Sequence, residues 1–91
     1  MTVRVQLPPV LRHATGGERW LQANGATVAA VLSDLAENRP ALALHLFDEQ
    51  GEVRHNLVCV HEGIVVRARE MASHRVQADD ELVLANALAG G

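Results

Sequence analysis

Thr27-Val28-Ala29-Ala30-Val31-Leu32-Ser33-Asp34-Leu35-Ala36-Glu37-Asn38 is the stretch on which the fold turns. Val28, Val31, Leu32 and Leu35 recur at steps of three and four, which lays one apolar stripe along an α-helix. Ser33, Asp34 and Glu37 fall on the other side. Thr27 stands where an N-cap is needed, because its hydroxyl can accept from a free amide of the first turn. Pro40 closes the helix, since the residue before a proline avoids the α region. A helix with one apolar stripe must bury it against another layer.

The flanking sequence supplies that layer. Val3, Val5 and Leu7 alternate with Arg4 and Gln6 as a half-buried strand does, and Pro8-Pro9 ends the ladder. A loop closes at Thr15-Gly16-Gly17. Glu18 to Ala23 reads as a second strand with Trp20 as its anchor, and Asn24-Gly25 as a turn. The two strands form a hairpin with a long loop. After the helix, Ala41 to Phe47 reads as a short helical turn and Asp48-Glu49-Gln50-Gly51 as a polar turn. Val53 to His61 is a strand, His61-Glu62-Gly63 a turn, and Ile64 to Val66 a short strand. Ala78-Asp79-Asp80 turns into the last strand, Glu81 to Ala85, where Leu82 and Leu84 share a face. The order β-β-α-β-β-β predicts the α+β class: a five-stranded mixed sheet packed on one helix.

Composition narrows the function. Ninety-one residues make one domain, spanning 1–91. The net charge of −3 gives no basic stripe, which argues against a nucleic-acid partner. Trp20 and Phe47 are the only aromatics of the Phe, Trp and Tyr types, too few for base stacking. No apolar run is long enough for a membrane span, and no signal peptide is visible. The single cysteine, Cys59, excludes a disulfide within the chain and points to the cytoplasm. All the basic residues are arginine; there is no lysine.

The chain ends in Gly90-Gly91 shortly after the last strand. Glycine is thin and costly to order, so this pair contributes nothing to a core. It suits a flexible tail, from about residue 86 to 91, that threads into another protein's narrow site and presents a carboxylate.

The order of elements, the Thr27-capped helix, the run Asp79-Asp80-Glu81-Leu82 and the Gly90-Gly91 end together resemble the ubiquitin-like β-grasp sulfur carriers. That family includes the small subunit of molybdopterin synthase and the thiamine sulfur carrier. Leu11-Arg12 through Thr15-Gly16-Gly17 is most similar to the carriers of the cysteine-biosynthesis and siderophore-thiocarboxylate branch. Where the family often has a proline before the tail, this chain has Asn86-Ala87-Leu88-Ala89, which leaves the exit less stiff.

The resemblance implies a carrier rather than an enzyme. An E1-like adenylating enzyme would use ATP to activate the Gly91 carboxylate, and a sulfur donor would convert it to a thiocarboxylate. A sulfur-accepting synthase would then take the sulfur. No bound cofactor is implied. Leu88, Ala89 and Gly90 would thread into the partner, and four extended residues span about 13 Å. Docking is expected on a sheet face. The His-bearing face of the third strand (His55, Leu57, Cys59, His61) is assigned outward, so that Leu57, Cys59, Val83 and Ala85 form an exposed apolar patch. Two other roles stay open: a protein modifier joined through Gly91, and a stable small subunit of a synthase. A chain without lysine cannot build isopeptide-linked polymers on its own side chains.

Other constellations read as structural. His55 and Cys59 lie about 13 Å apart along one strand, so they cannot share an ion. Cys59 and His61 offer two ligands where structural zinc takes four, so no metal site is expected. Cys59 as a nucleophile needs an activating base, for which His61 is the neighbour on offer, but a strand cysteine more often packs, and Cys59 is assigned to packing. Asp79, Asp80 and Glu81 read as turn and surface residues. Thr15-Gly16-Gly17 is no phosphate loop, because no Gly-Lys-Ser/Thr follows.

Overall fold

The computed structural model describes residues 2–86. Five strands form one sheet: β1 (Thr2–Gln6), β2 (Trp20–Asn24), β3 (Leu57–His61), β4 (Ile64–Arg67) and β5 (Glu81–Asn86). Their spatial order is β2-β1-β5-β3-β4. β1 and β5 run parallel at the centre, and every other pairing is antiparallel. Three helices join them: α1 (Pro9–Arg12), α2 (Val28–Asn38) and α3 (Pro40–Leu46). The mixed sheet and its class are as the sequence predicts.

The central helix follows its pattern. Val28, Val31, Leu32 and Leu35 of α2 are buried, and the Thr27 hydroxyl accepts the Ala30 amide at 3.1 Å. Two further N-terminal amides find carbonyls in the segment before β5: Val28 N–H donates to His74 O at 3.0 Å and Ala29 N–H to Met71 O at 3.1 Å. The helix start is thereby tied to residues 71–74 without a charged cap. Facing α2 across the core are Val3 and Val5 of β1, Leu21 and Ala23 of β2, and Leu82 and Leu84 of β5. Each such buried valine or leucine side chain contributes about 1.5–3 kcal/mol.

Three local readings are corrected. A short helix, α1, stands where the sequence reads a loop, while α3 is the short helical turn expected over Ala41 to Phe47. Pro9 and Pro40 sit in the first turns of α1 and α3, where the missing amide costs nothing. Pro8-Pro9 therefore both stops β1 and starts α1. The third strand is shorter than the Val53 to His61 read from the sequence: β3 begins at Leu57, and Val53 makes only an isolated bridge with Phe47. Trp20 is no core anchor either. It is half-buried on the opposite face, with the Arg4 guanidinium 4.5 Å above its ring, while Leu21 and Ala23 point inward.

The β3–β4 connection is a two-residue turn in which both Glu62 (φ 53) and Gly63 (φ 80) are left-handed. Such a turn matches the twist of the strands it joins. Glycine takes this conformation freely and glutamate does so at a cost.

Candidate functional site

β5 is hydrogen-bonded on both sides: to β1 from Glu81 to Val83, and to β3 from Leu82 up to Asn86, which pairs with Leu57. Leu88, Ala89, Gly90 and Gly91 lie outside the described residues. The last described residues therefore belong to the central strand of the sheet, not to an edge.

The alternation of β5 sends Leu82 and Leu84 into the core and leaves Val83 and Ala85 half-buried on the open face. The helices cover the other face. Strand register extends the open face sideways. Val83 pairs with Val60, which pairs with Val65; Ala85 pairs with Val58, which pairs with Arg67. Val58 and Val60 are half-buried, and Val65 is 53% exposed. A band of valines thus crosses three strands. Arg4 and Glu81, bonded at 2.6 Å, border it on the β1 side.

This reverses the face assigned to the third strand. Leu57 and Cys59 have no exposure, and His61 is 5% exposed. All three point into the core, so Leu57 and Cys59 cannot line a docking surface. His55 lies outside the strand and is exposed. The apolar pattern could not orient β3, because Leu57 and Cys59 on one side match Val58 and Val60 on the other. The histidine was the misleading signal, since its burial depends on partners distant in sequence.

Those partners are two. His61 Nε2 lies 2.8 Å from Asp80 Oδ2, and His61 Nδ1 lies 2.9 Å from His74 Nε2. An ionised carboxylate can only accept, so His61 donates through Nε2. Its Nδ1 is then bare and accepts from His74 Nε2–H. Asp80 Oδ2 also accepts the Gln77 amide at 2.8 Å. That backbone bond, followed by the one from His61, holds the Asp80 carboxyl below its usual pKa of 3.8. Asp80 had been assigned to a turn surface; it is in fact the acceptor that allows a histidine into the core. Nothing in the local sequence marked this, because His61, His74 and Asp80 come from three separate segments.

Cys59 has the environment of a packing residue. Burial pushes its thiol up to about 12, and a backbone hydrogen bond at Val83 only partly offsets this. At neutral pH it is a thiol and not a nucleophilic thiolate. A cleft of about 510 Å³ opens on the helix side, lined by Ser33, Phe47, His55 and Arg69 among others, and it draws on no residue of β5. Among the described residues, no helix is long and apolar enough to cross a membrane.

The comparisons agree with this architecture. The sulfur carrier protein CysO of Mycobacterium tuberculosis is 31% identical over 93 residues, covering all of both chains. A chain of the Amycolatopsis orientalis BexX/CysO complex superposes with a TM-score of 0.80 at 29% identity, covering 98% of this chain and 99% of that one. The small archaeal modifier protein 1 (SAMP1) of Methanosarcina acetivorans superposes with a TM-score of 0.79 at 28% identity, covering 99% and 96%. The model of the ThiS family matches residues 5–91. With a match of that extent, this chain belongs to the ThiS family.

Proposed function

We propose that this chain is a sulfur carrier whose Gly91 carboxylate is activated and converted to a thiocarboxylate by a partner enzyme. The observation that carries the reading is the Gly90-Gly91 end on a chain of the ThiS family, placed five residues beyond a strand held on both sides.

A carboxylate is a poor electrophile. Attack of a Gly91 carboxylate oxygen on the α-phosphorus of ATP would form an acyl-adenylate and release pyrophosphate. A donor at the sulfide level would then attack the acyl carbon. A C–S bond forms, the C–O bond to phosphate breaks and AMP leaves, with no change in oxidation state. The chemistry is covalent and split into steps, but its catalytic groups belong to the activating enzyme. The carrier contributes a thin terminus and a surface to dock. Substitution at Gly90 or Gly91 would add a Cβ where the tail must pass closely. ATP-dependent activation and a buried single thiol fit a cytoplasmic protein.

The open face offers the docking surface. Val58, Val60, Val83 and Ala85 replace the patch read from the sequence, and apolar patches of this kind mark partner sites. Anchoring in β5 supports the same role. A partner that pulls on the tail meets a strand paired to β1 and β3, so the pull spreads across the sheet.

The test is mass spectrometry of the intact protein with its cognate activating enzyme, ATP and sulfide. The protein should gain the mass difference between one sulfur and one oxygen. Deleting Gly91 should abolish the gain and leave the circular dichroism spectrum unchanged. If the mass never changes with an enzyme shown to be active on another carrier, the proposal fails.

A second reading is favoured by the likeness to a small archaeal modifier protein: Gly91 joined to a lysine of another protein. It uses the same activation. The absence of lysine weighs against lysine-linked polymers and favours single attachments, since no side-chain amine here can accept a second copy. Lysine-linked adducts in cell extract that vanish on Gly91 deletion would establish it.

A further inference from the structure

We propose that His61, Glu62 and Asp80 form a binding site for a zinc-class divalent cation, with His74 as the residue that positions His61. The ligand atoms of these three residues all lie within 4.8 Å of one another. His61 Nε2 is 2.8 Å from Asp80 Oδ2 and 3.8 Å from Glu62 Oε1. Nitrogen and oxygen donors around a tetrahedral zinc stand about 3.3 Å apart. One spacing is thus about half an ångström short and the other about half an ångström long, and the exposed Glu62 carboxylate, within 4.8 Å of Asp80, is the ligand free to close the set.

The backbone brings these donors together against the usual rule. Consecutive residues on a strand point to opposite faces, so His61 and Glu62 should diverge. Glu62 instead takes φ 53 in the tight turn, and its carboxylate comes back toward the His61 ring. Among the described residues, the other non-glycine residue with positive φ is Asp79 (φ 68), immediately before Asp80.

Both inner ligands are already oriented from behind, as the ligands of metal sites are. His74 Nε2 holds His61 Nδ1 at 2.9 Å, and the Gln77 amide holds Asp80 Oδ2 at 2.8 Å. His74 is itself fixed, because its carbonyl accepts the first amide of α2. Exposure grades outward, from 7% for the His61 side chain through 19% for Asp80 to 72% for Glu62, which gives an ion a path from solvent. Two carboxylates and a neutral imidazole match the charge of a divalent ion, and water completes the coordination.

The proton balance closes within the cluster. Metal on His61 Nε2 requires the ring proton on Nδ1, which then donates to His74 Nε2. The His74 proton moves to its own Nδ1. Both rings change tautomer together and no net proton leaves the neutral network.

The ion would clip the end of β3 to the start of β5 and, through His74, to the head of α2. The experiment is isothermal titration of the full chain with zinc chloride after treatment with a chelator, run beside thermal unfolding. One zinc per chain should bind with a Kd on the order of micromolar, and ten times that concentration should raise Tm by about 7 °C. Glu62→Gln changes an exposed side chain, should keep the fold, and should weaken zinc at least tenfold. In nitrogen-15 spectra of labelled histidine, zinc should switch the tautomers of His61 and His74, and His74→Gln should weaken binding without removing a ligand. The exposed His13–His45 pair, with ring centroids 6.2 Å apart, is the rival, and a His13→Gln/His45→Gln variant should bind zinc unchanged. The proposal is overturned by an absence of binding at about 100 μM, a concentration well above the expected Kd. It is also overturned if Glu62→Gln binds as well as the parent, or if the His13/His45 variant loses the site. None of these readouts depends on sulfur transfer, so they stand apart from the carrier reading.

Discussion

Replacing Gly25 with alanine tests whether the approach of α2 to the end of β2 is as close as described. A Cβ built on Gly25 would lie 2.7 Å from Val31 N, 2.9 Å from Ala30 C and 3.0 Å from Ala30 Cβ. The two nearest atoms are helix backbone, so no rotamer change relieves the contact. Gly25 does not have a left-handed φ, so the requirement is for space and not for conformation. Ordinary contact would require α2 to retreat by several tenths of an ångström. Yet α2 is fixed by the buried Val28, Val31, Leu32 and Leu35 and by its bonds to residues 71–74. Overpacking of this kind costs about 1–3 kcal/mol. Restricting the unfolded chain returns about 0.4–1 kcal/mol. The net loss should be about 1–2 kcal/mol, a fall in Tm of roughly 5–15 °C for a domain of this size. Urea unfolding should show the midpoint lowered by about 1 M with an unchanged m-value. Ala30→Gly in the same chain should not rescue the loss, because Val31 N remains in place. Gly51→Ala is the contrasting case: φ is +82 and no atom lies within 4 Å, so only backbone strain is added. If Gly25→Ala is as stable as the parent, the close approach is wrong.

Three further outcomes are expected. Cys59 should resist iodoacetamide at pH 8 in the folded protein and react at once in denaturant; Cys59→Ser should lose about 1–2 kcal/mol of stability through a buried hydroxyl yet still deliver sulfur, and a folded Ser variant unable to do so would make Cys59 a relay. Asp80→Asn should cost about 1–3 kcal/mol at pH 7, because it weakens charge-assisted bonds to His61 and Gln77. The Asp80 pKa is lowered on folding, so its contribution is present above the unfolded value and is lost as the pH falls through the folded one. The parent–variant difference in urea midpoint should therefore shrink below about pH 4, and a difference constant down to pH 2 would contradict the bonding described. Glu62→Asn should raise stability by about 0.5–1 kcal/mol in metal-free buffer, since asparagine tolerates the left-handed turn better; a lower Tm would mean that the Glu62 side chain stabilises the turn.

Periodicity and capping were enough to determine the layers of this protein from its sequence. The 3.6-residue spacing of Val28, Val31, Leu32 and Leu35 has one solution, and Thr27 fixed where it begins. Leu82 and Leu84 were assigned to one face by the two-residue alternation of a strand. The terminal diglycine was legible because it has no use in a core, and with the order of elements it pointed to the family. Three matters needed the tertiary structure. The orientation of β3 did, since Leu57, Val58, Cys59 and Val60 are apolar on both sides and only the partners of His61 decide which side is buried. The cluster of His61, His74 and Asp80 did, because it joins residues thirteen and nineteen positions apart in sequence. The reason for Gly25 did as well: the sequence marked a turn, but it was the approach of Ala30 and Val31 in α2, not the local φ, that left no room for a Cβ. Local patterns fix which elements form, because neighbours in sequence set them. Which surfaces meet depends on contacts made only after the elements have packed.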